Sequence, residues 1–414
     1  MKHPFFSLCA GMLGFALALQ TPSTAIAGSQ ETVLHSFSGA PDGANPAAGL
    51  VDVKGMLYGT TYYGGAATDG GTLFVVDPGT GAETVPHAFC SKFKGNTCEN
   101  GGHPDGEHPN GSLINVKGRL YGTTAHGGAY NDGTVFAFDP KTAKEKVIYS
   151  FGTQGGYIDG QVPDGSLIDV NGTLYGTTQF GGTAGTGTVF ALDPATGVET
   201  VLYSFCSQEN CTDGAEPAAG LIDVDGTVYG VTSGGGAYRY GTVFALDPNT
   251  GVETVLYSFC SQQNCTDGEE PVAGLIDVGG TLYGTTIYGG VSYGGTVFSL
   301  DPNTGAETVL HSFDDSTRDR DGCYPEAGLV DRNGTLFGTT TRCGIHHDGG
   351  TVFALDPNTG AEKVLYSFCG KENCTDGANP STSLIDVRST LYGTTYDGGI
   401  DGTYGLGTVF AVSR

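Results

Sequence analysis

Residues 213–259 read DGAEPAAGLIDVDGTVYGVTSGGGAYRYGTVFALDPNTGVETVLYSF, and variants of this stretch fill most of the chain. The phrase Leu-Tyr-Gly-Thr-Thr, here Val-Tyr-Gly-Val-Thr, occurs seven times at intervals of 63, 54, 54, 54, 54 and 55 residues. Its aromatic residues are Tyr58, Tyr121, Tyr175, Tyr229, Tyr283, Phe337 and Tyr392. A fixed period of this length is the sequence signature of a repeat architecture.

Each repeat predicts four short β-strands joined by tight turns. In the quoted copy the strands are expected at Ala219–Val224, Thr227–Thr232, Gly241–Asp247 and Glu253–Phe259. Asp225-Gly226 suits a two-residue hairpin. Asp247-Pro248-Asn249-Thr250-Gly251 supplies Pro for a fixed φ and Gly for a left-handed position. Val255 and Leu256 lie on opposite faces of the fourth strand, and both are apolar, which is typical of a strand packed between two sheets.

The two ends of the repeated region complete each other. Glu31–Phe37 is a fourth-strand phrase standing before the first repeat, and the seventh repeat ends at Gly407–Val412 without its own fourth strand. We therefore predict an all-β fold, a single seven-bladed β-propeller of four-stranded blades, closed by the N-terminal strand completing the last blade. It would occupy residues 28–414. A solenoid is the alternative, but it would leave both ends unpaired.

The composition agrees with a turn-rich β protein. The chain has 71 Gly among 414 residues and no Trp. Collagen is excluded because there is no Gly-X-Y period. Disorder is excluded by a hydrophobic fraction of 38%. Long helices are disfavoured because each interior Gly costs about 1 kcal/mol.

The first 27 residues predict a secretory signal peptide. Lys2 precedes an apolar stretch, Phe5–Leu19, and Thr24-Ala25-Ile26-Ala27 offers a cleavage site. The stretch is too short for a convincing transmembrane helix, so we expect export without membrane insertion. Residues 28–414 carry 17 Lys and Arg against 44 Asp and Glu, a net charge of −27. Such a surface repels nucleic acid. We expect a monomer.

Ten cysteines follow the predicted signal peptide, an even number in an oxidising compartment. Disulfides are favoured over zinc, because two thiolates in a loop lack paired His residues. The expected disulfide cysteines are Cys90, Cys98, Cys206, Cys211, Cys260, Cys265, Cys323, Cys343, Cys369 and Cys374.

The repeat resembles the GloVer tandem repeat of bacterial exported proteins, a family of the choice-of-anchor type. The resemblance rests on Tyr-Gly-Thr-Thr-x-x-Gly-Gly, Gly-Thr-Val-Phe-x-x-Asp-Pro-x-Thr-Gly and Glu-x-Val-Leu-Tyr-Ser-Phe. It implies no activity for particular residues. Many members carry a C-terminal sorting tail, which we do not expect here because the chain stops at Arg414 after its last strand.

Binding residues are expected on one face of the ring, which we name the upper face. It combines the loops from each fourth strand into the next blade with the loops between second and third strands, where length and sequence vary most. Aromatic residues there could stack on sugar rings or anchor a protein, or could instead pack between blades. The candidates are Tyr63, Tyr130, Phe180, Tyr238, Tyr240, Tyr288, Tyr293, Tyr396 and Tyr404.

Acids and histidines on the same face give weaker candidates. The motif Asp-Gly-x-x-Pro occurs once per blade, and its Asp could bind calcium or could only accept backbone hydrogen bonds in a turn; the recurrence favours the turn. The long loop into blade two holds Asp105 and Glu107. His103 and His108, with His126 nearby, could bind a transition metal or do acid–base work, but their spacing is no recognised ligand pattern and favours solvated loop residues. Three other histidines replace the Tyr of the fourth strand and are expected to be structural: His35, His87 and His311.

These features favour a secreted or cell-envelope binding module for a neutral glycan or a protein partner. A carbohydrate-active hydrolase using carboxylates around the channel mouth is the alternative, and a purely structural envelope protein is a second. No motif for nucleophilic catalysis is present. A lyase acting on uronates would need cations, and Arg239 and Arg342 are the only ones in the second-to-third loops. No cofactor is indicated, although calcium remains open.

Overall fold

The computed structural model describes residues 30–65, 69–90, 103–315, 321–346, 348–400 and 405–413. The predicted signal peptide, Cys98 and Tyr404 therefore lie outside the described residues, and so does the side chain of His103. In the described part of the chain, no helix is long and apolar enough to span a membrane.

The described strands form seven four-stranded antiparallel sheets, the blades, so the predicted all-β propeller is confirmed. Strand β1 is Gln30–Ser36. Blade one has β2 (Val51–Val53), β3 (Met56–Thr61), β4 (Thr72–Val76) and β5 (Glu83–Ala88). β6 (His103–Glu107) precedes blade two, which has β7 (Ile114–Val116), β8 (Arg119–Thr124), β10 (Thr134–Asp139) and β11 (Lys144–Ser150), with β9 (His126–Gly128) between β8 and β10. Blade three has β12 (Ile168–Val170), β13 (Thr173–Thr178), β14 (Thr188–Asp193) and β15 (Val198–Ser204).

The remaining blades repeat this plan. Blade four has β16 (Ile222–Val224), β17 (Thr227–Thr232), β18 (Thr242–Asp247) and β19 (Val252–Ser258). Blade five has β20 (Ile276–Val278), β21 (Thr281–Thr286), β22 (Tyr293–Asp301) and β23 (Ala306–Asp314). Blade six has β24 (Val330–Arg332), β25 (Thr335–Thr340), β26 (Thr351–Asp356) and β27 (Ala361–Ser367). Blade seven has β28 (Ile385–Val387), β29 (Thr390–Thr395) and β30 (Thr408–Ser413). Short 3-10 turns lie at Glu209–Cys211, Gln263–Cys265 and Glu372–Cys374.

Strand β1 closes the ring. It pairs antiparallel with β30, from Gln30 opposite Ser413 to Ser36 opposite Thr408, and so becomes the fourth strand of blade seven. This confirms the predicted closure, and it leaves β30 with neighbours on both sides.

The turns have the geometry that their residues predict. Asp225 and Gly226 both have positive φ, 52° and 85°, as a tight two-residue hairpin with right-handed strand twist requires. In the second turn, the Asp247 carboxylate accepts the Asn249 N–H at 2.9 Å and the Thr250 hydroxyl at 2.8 Å. The Asp side chain thus accepts hydrogen bonds from turn N–H groups that have no partner strand.

Each blade packs on the next through apolar residues, so the core consists of seven inter-blade junctions. At every junction a Phe at or just after the end of the fourth strand of one blade meets a third-strand Phe of the next, edge to face, with ring centroids 5.0–5.2 Å apart. The pairs are Phe37–Phe74, Phe89–Phe136, Phe151–Phe190, Phe205–Phe244, Phe259–Phe298, Phe313–Phe353 and Phe368–Phe410. Edge-to-face Phe pairs therefore hold together a propeller that has no Trp.

A polar cluster, named here the rim cluster, recurs at the outer edge of the junctions. At the junction of blades three and four, the Tyr203 hydroxyl donates to Asp213 at 2.8 Å, and Glu253 of the next blade faces both. Burial and the nearby Asp213 charge raise the pKa of Glu253 to about 7. The Asp of Asp-Gly-x-x-Pro and the Glu of the fourth strand thus lie in one partly buried site. There the two carboxyl groups share few hydrogen-bond donors.

The described residues contain four of the five predicted disulfides. They join Cys206 to Cys211, Cys260 to Cys265, Cys323 to Cys343 and Cys369 to Cys374. Cys323 lies in a fourth-to-first loop and Cys343 in a second-to-third loop, so this bond confirms that both kinds of loop share the upper face. The disulfides indicate an oxidising compartment, typical of an exported protein.

Candidate binding site at the channel mouth

A cavity of about 490 Å³ opens on the upper face. All seven blades contribute to its wall, so it lies on the axis of the ring. Its floor is formed where first strands converge: a Cβ added to Gly274 would come within 3.1 Å of the Gly220 carbonyl oxygen, which shows how closely the blades approach there. A volume of this size is typical of small-molecule and oligosaccharide sites.

The wall of the cavity is polar on some blades and apolar on others. The residue directly after the Pro of Asp-Gly-x-x-Pro faces the cavity in every blade. Going around the ring, these residues are Ala47, Asn110, Asp164, Ala218, Val272, Glu326 and Ser381. Blades two, three, six and seven therefore supply hydrogen-bonding groups, while blades one, four and five supply small or apolar surface.

The residue before the Pro of Asp-Gly-x-x-Pro has left-handed backbone geometry in all seven blades. The φ angles lie between 52° and 59° for Asn45, His108, Val162, Glu216, Glu270, Tyr324 and Asn379. An inter-blade hydrogen bond fixes this geometry, as when the Glu270 N–H donates to the Tyr240 carbonyl at 2.9 Å. Val, Glu and Tyr rarely adopt such a backbone, and strained positions of this kind cluster at functional sites.

Two carboxyl groups line the cavity from blades three and six. Burial raises the pKa of Asp164 to about 6, and a hydrogen bond with Asn110 opposes the rise. Burial also raises the pKa of Glu326, against a hydrogen bond from the Thr341 hydroxyl, 3.3 Å away, and the charge of Arg342. The wall thus offers the Asp164 carboxyl, partly protonated near pH 6, and the Glu326 carboxyl with its raised pKa, together with amide, hydroxyl and guanidinium donors.

Aromatic rings gather on the side of blades seven, one and two. Tyr62 stacks on His108 with centroids 4.6 Å apart and an interplanar angle of 5°, and it touches Tyr63 at 4.8 Å. Burial, then Tyr63, Asp164 and Tyr396, raise the pKa of Tyr62 to about 12. We call Tyr62, Tyr63, His108 and Tyr396 the aromatic cluster; of these four, Tyr396 is the one that lines the cavity.

The predicted aromatic residues divide between the cavity and the surrounding surface. Tyr396 lines the cavity and Tyr63 adjoins it through Tyr62. Seven of the predicted residues are 37–57% exposed, namely Tyr63, Tyr130, Phe180, Tyr238, Tyr240, Tyr288 and Tyr293. All seven lie outside the cavity wall, on the upper face around it.

The charged candidates of blade two are placed differently. Asp105 and Glu107 are buried. His126 and His108 lie side by side, with centroids 5.7 Å apart, and burial lowers the pKa of both. His126 sits opposite Glu107 in the pairing of β9 with β6. The structure brings two of the three predicted metal ligands together, and the metal itself stays a prediction.

The repeated Asp residues serve as turn anchors. Asp213 is completely buried, and its carboxylate accepts the Ser207 N–H at 2.8 Å and the Ser207 hydroxyl at 2.9 Å in addition to the Tyr203 hydroxyl. Asp159, Asp267 and Asp376 are equally buried. These four carboxylates face loop donors inside the fold and contribute no charge to the cavity.

Sequence reasoning missed Asn110 and Asp164, the polar residues on the cavity wall of blades two and three. The signal that could have found them is the position after the Pro of Asp-Gly-x-x-Pro. It changes from blade to blade while the Asp, Gly and Pro around it stay the same. In a closed ring, such a varying position next to the axis makes the otherwise symmetrical channel asymmetric.

The fold is that of a seven-bladed β-propeller with a cavity on the axis of its ring. The chain belongs to the Gloeobacter/Verrucomicrobia repeat family, whose model matches residues 28–211, 90–266 and 206–410. This confirms the resemblance found in the repeat phrases. No curated protein matches the chain in sequence.

Solved structures share the fold at low sequence identity. An oligogalacturonate lyase in complex with manganese is 14% identical, with a TM-score of 0.55 and coverage of 94% of each chain. The extracellular domain of a one-component system from B. thetaiotaomicron is also 14% identical, with a TM-score of 0.53; the match covers 93% of this chain and 42% of that one. At this identity, the likeness concerns the fold alone.

Proposed function

We propose that the protein is an exported binding module that holds a neutral glycan in the axial cavity. The observation that carries the proposal is a cavity lined by Tyr396 and by hydrogen-bonding groups, with the stacked rings of Tyr62 and His108 beside it. Sugar rings present apolar faces to aromatic rings and hydroxyls to amides and carboxyls. The disulfides and the predicted signal peptide support export.

The charge of the cavity favours a neutral ligand over an anionic one. Among the residues lining it, Arg342 is the single Lys or Arg, and Asp164 and Glu326 are acidic. The name of the oligogalacturonate lyase states an acidic sugar as its substrate. A uronate would bring its own carboxylates against Asp164 and Glu326, so we do not extend that activity to this chain.

Binding of neutral oligosaccharides to the wild-type chain tests the proposal. A panel of gluco-, xylo- and manno-oligosaccharides is titrated by calorimetry into the wild type, Tyr396→Ala and Asp164→Asn. We expect one neutral oligosaccharide to bind, and each substitution to weaken it at least about tenfold, the loss that removing a good hydrogen bond or stacking contact causes.

Tyr238→Ala is the matched control, because Tyr238 is exposed on the upper face but lies outside the cavity wall. It should bind as the wild type does. Equal affinity of the wild type and Tyr396→Ala, or loss of binding only in Tyr238→Ala, would move the site away from the cavity. Absence of binding across the panel would reject a neutral glycan and leave a protein partner or a structural role.

A hydrolase is the second candidate, because two carboxyls with raised pKa line one cavity. A general acid needs such a pKa to stay protonated near neutral pH. Release of reducing ends from the oligosaccharides that bind would support it, provided that Asp164→Asn or Glu326→Gln abolishes the release. Binding without release excludes it.

A further inference from the structure

The rim cluster differs between junctions in one residue. Where the junction of blades three and four has Tyr203, the closure junction between blades seven and one has His35. His35 Nε2 lies 3.1 Å from Asp42 Oδ1, and Glu83 of blade one completes the cluster. One potential ligand atom from each of these three side chains lies within 4.8 Å of the other two.

We propose that His35, Asp42 and Glu83 form a binding site for a divalent transition metal ion such as zinc. A neutral phenol can only donate to the two carboxylates, whereas an imidazole nitrogen can offer a lone pair. One imidazole and two carboxylates make a nitrogen and oxygen donor set that suits zinc and its neighbours. The sequence alone assigned His35 a structural role, and the three-residue geometry adds this second role.

Neighbouring groups orient the ligands. The other oxygen of Asp42, Oδ2, accepts the Ser38 N–H at 2.9 Å and the Ser38 hydroxyl at 3.0 Å, which holds Oδ1 toward His35. The His35 ring packs edge-on against Phe37, with centroids 4.9 Å apart. Fixed outer contacts of this kind are what metal sites use to position their ligands.

Among the described residues, Glu83 has a carboxylate oxygen without a donor, as have the corresponding Glu199, Glu253, Glu307 and Glu362, and at Glu83 a His nitrogen and an Asp oxygen also lie within 4.8 Å. The Glu83 Oε1 is buried and accepts no hydrogen bond from the residues that the structure describes. A buried acceptor without a donor costs free energy, and a metal ion would satisfy it. Tetrahedral zinc needs oxygen and nitrogen ligands about 3.4 Å apart, so the three side chains have to close up from separations of at most 4.8 Å. Side chains of His35 and Asp42 are 19% and 15% exposed, which lets an ion enter.

The site would join the two ends of the ring. His35 lies on β1, which belongs to blade seven, and Glu83 lies on β5 of blade one. An ion bound by both would couple the closing strand to the next blade. Because it binds only the folded ring, zinc should raise the melting temperature.

Zinc binding to the whole exported chain tests this site. The protein is stripped with a chelator, dialysed and titrated with zinc chloride by calorimetry, and its melting temperature is measured with and without zinc. The variant His35→Tyr installs the residue used at the Tyr203 junction, so its fold is expected to persist. It should bind one zinc ion fewer than the wild type and lose the zinc-dependent rise in melting temperature.

Three further variants sharpen the outcome. Glu83→Gln should weaken zinc binding at least tenfold. When cobalt is used in place of zinc as a spectroscopic probe, this variant should also lose the visible absorption bands of the bound ion. His108→Ala with His126→Ala should leave this site intact. Tyr257→His, beside Asp267 and Glu307, should create one additional site. The proposal is overturned if His35→Tyr binds as many zinc ions as the wild type, or if the wild type binds none at 1 mM zinc.

Discussion

At the scale of single residues, the Gly of Tyr-Gly-Thr-Thr is a packing residue. A Cβ on Gly230 would lie 2.6 Å from the ring of Phe244 and 2.7 Å from Leu221. The same contacts occur at Gly59, Gly122, Gly176, Gly284, Gly338 and Gly393. Phe244 also belongs to an edge-to-face pair with Phe205. The Gly is therefore needed for the inter-blade junction, because it gives the Phe ring room to lie on the strand.

Gly230→Ala should destabilise the protein by about 1–3 kcal/mol, the usual cost of overpacking a core. Gly155→Ala is the control, because a Cβ there meets no atom within 4 Å. Urea denaturation of the two variants and the wild type gives the comparison. A Gly230→Ala variant as stable as the Gly155→Ala variant would contradict the packing role.

The Glu of the rim cluster gives a pH dependence. Burial and the facing Asp159, Asp213 and Asp267 raise the pKa values of Glu199, Glu253 and Glu307 to about 7. The unfolded chain has ordinary Glu pKa values near 4.5. Between pH 4.5 and pH 7 the folded state binds more protons at these Glu residues than the unfolded state does. The stability that they contribute is therefore greatest at acidic pH and is lost as the pH rises through 7.

The urea midpoint should accordingly be higher at pH 5 than at pH 8. Replacing Glu199, Glu253 and Glu307 together by Gln should reduce that difference, because an amide does not ionise. The Tyr hydroxyls of these clusters, such as Tyr203, stay neutral over this range because their pKa values are raised. A midpoint that rises with pH, or a triple variant with an unchanged difference, would contradict this assignment.

At the scale of elements, β1 is the strand on which closure depends. It covers one edge of β30 and is followed by Phe37, which is completely buried against Phe74. In the long loop into blade two, a further pair of strands, β6 and β9, takes the place of the single bridge that other blades have, such as Gln161 with Phe180. Additions are thus accepted at the upper face, while the four-stranded blades stay constant.

Deleting Glu31–Phe37 should lower the free energy of unfolding by at least about 3–5 kcal/mol, the cost of losing one buried Phe. A synthetic peptide of residues 28–38 should bind the exposed edge and restore part of the melting temperature, whereas the same peptide with Phe37→Ala should restore less. An unchanged melting temperature after the deletion would contradict closure by β1.

At the scale of the whole molecule, repetition made the fold predictable from sequence. Seven copies of Leu-Tyr-Gly-Thr-Thr and of Asp-Gly-x-x-Pro predicted the blade count, and the isolated phrase at Glu31–Phe37 predicted the closure. The cavity wall was not predictable to the same degree. Asn110 and Asp164 come from different blades and lie together only because the ring brings distant residues to its axis. The sequence repeat predicts the features that the blades share, whereas the cavity wall is built from residues that differ between blades.

The pairing of β1 with β30 also has a consequence for the order of events during synthesis and export. Gln30 and Ser413 are 383 residues apart, and the Ser413 hydroxyl donates to the Gln30 carbonyl. Strand β1 is synthesised before its partner β30, so it stays unpaired until β30 has emerged from the ribosome. Blades can assemble one after another behind it, but the ring locks in a single late step. Until then β1 is an unpaired strand that can pair wrongly with another strand or chain.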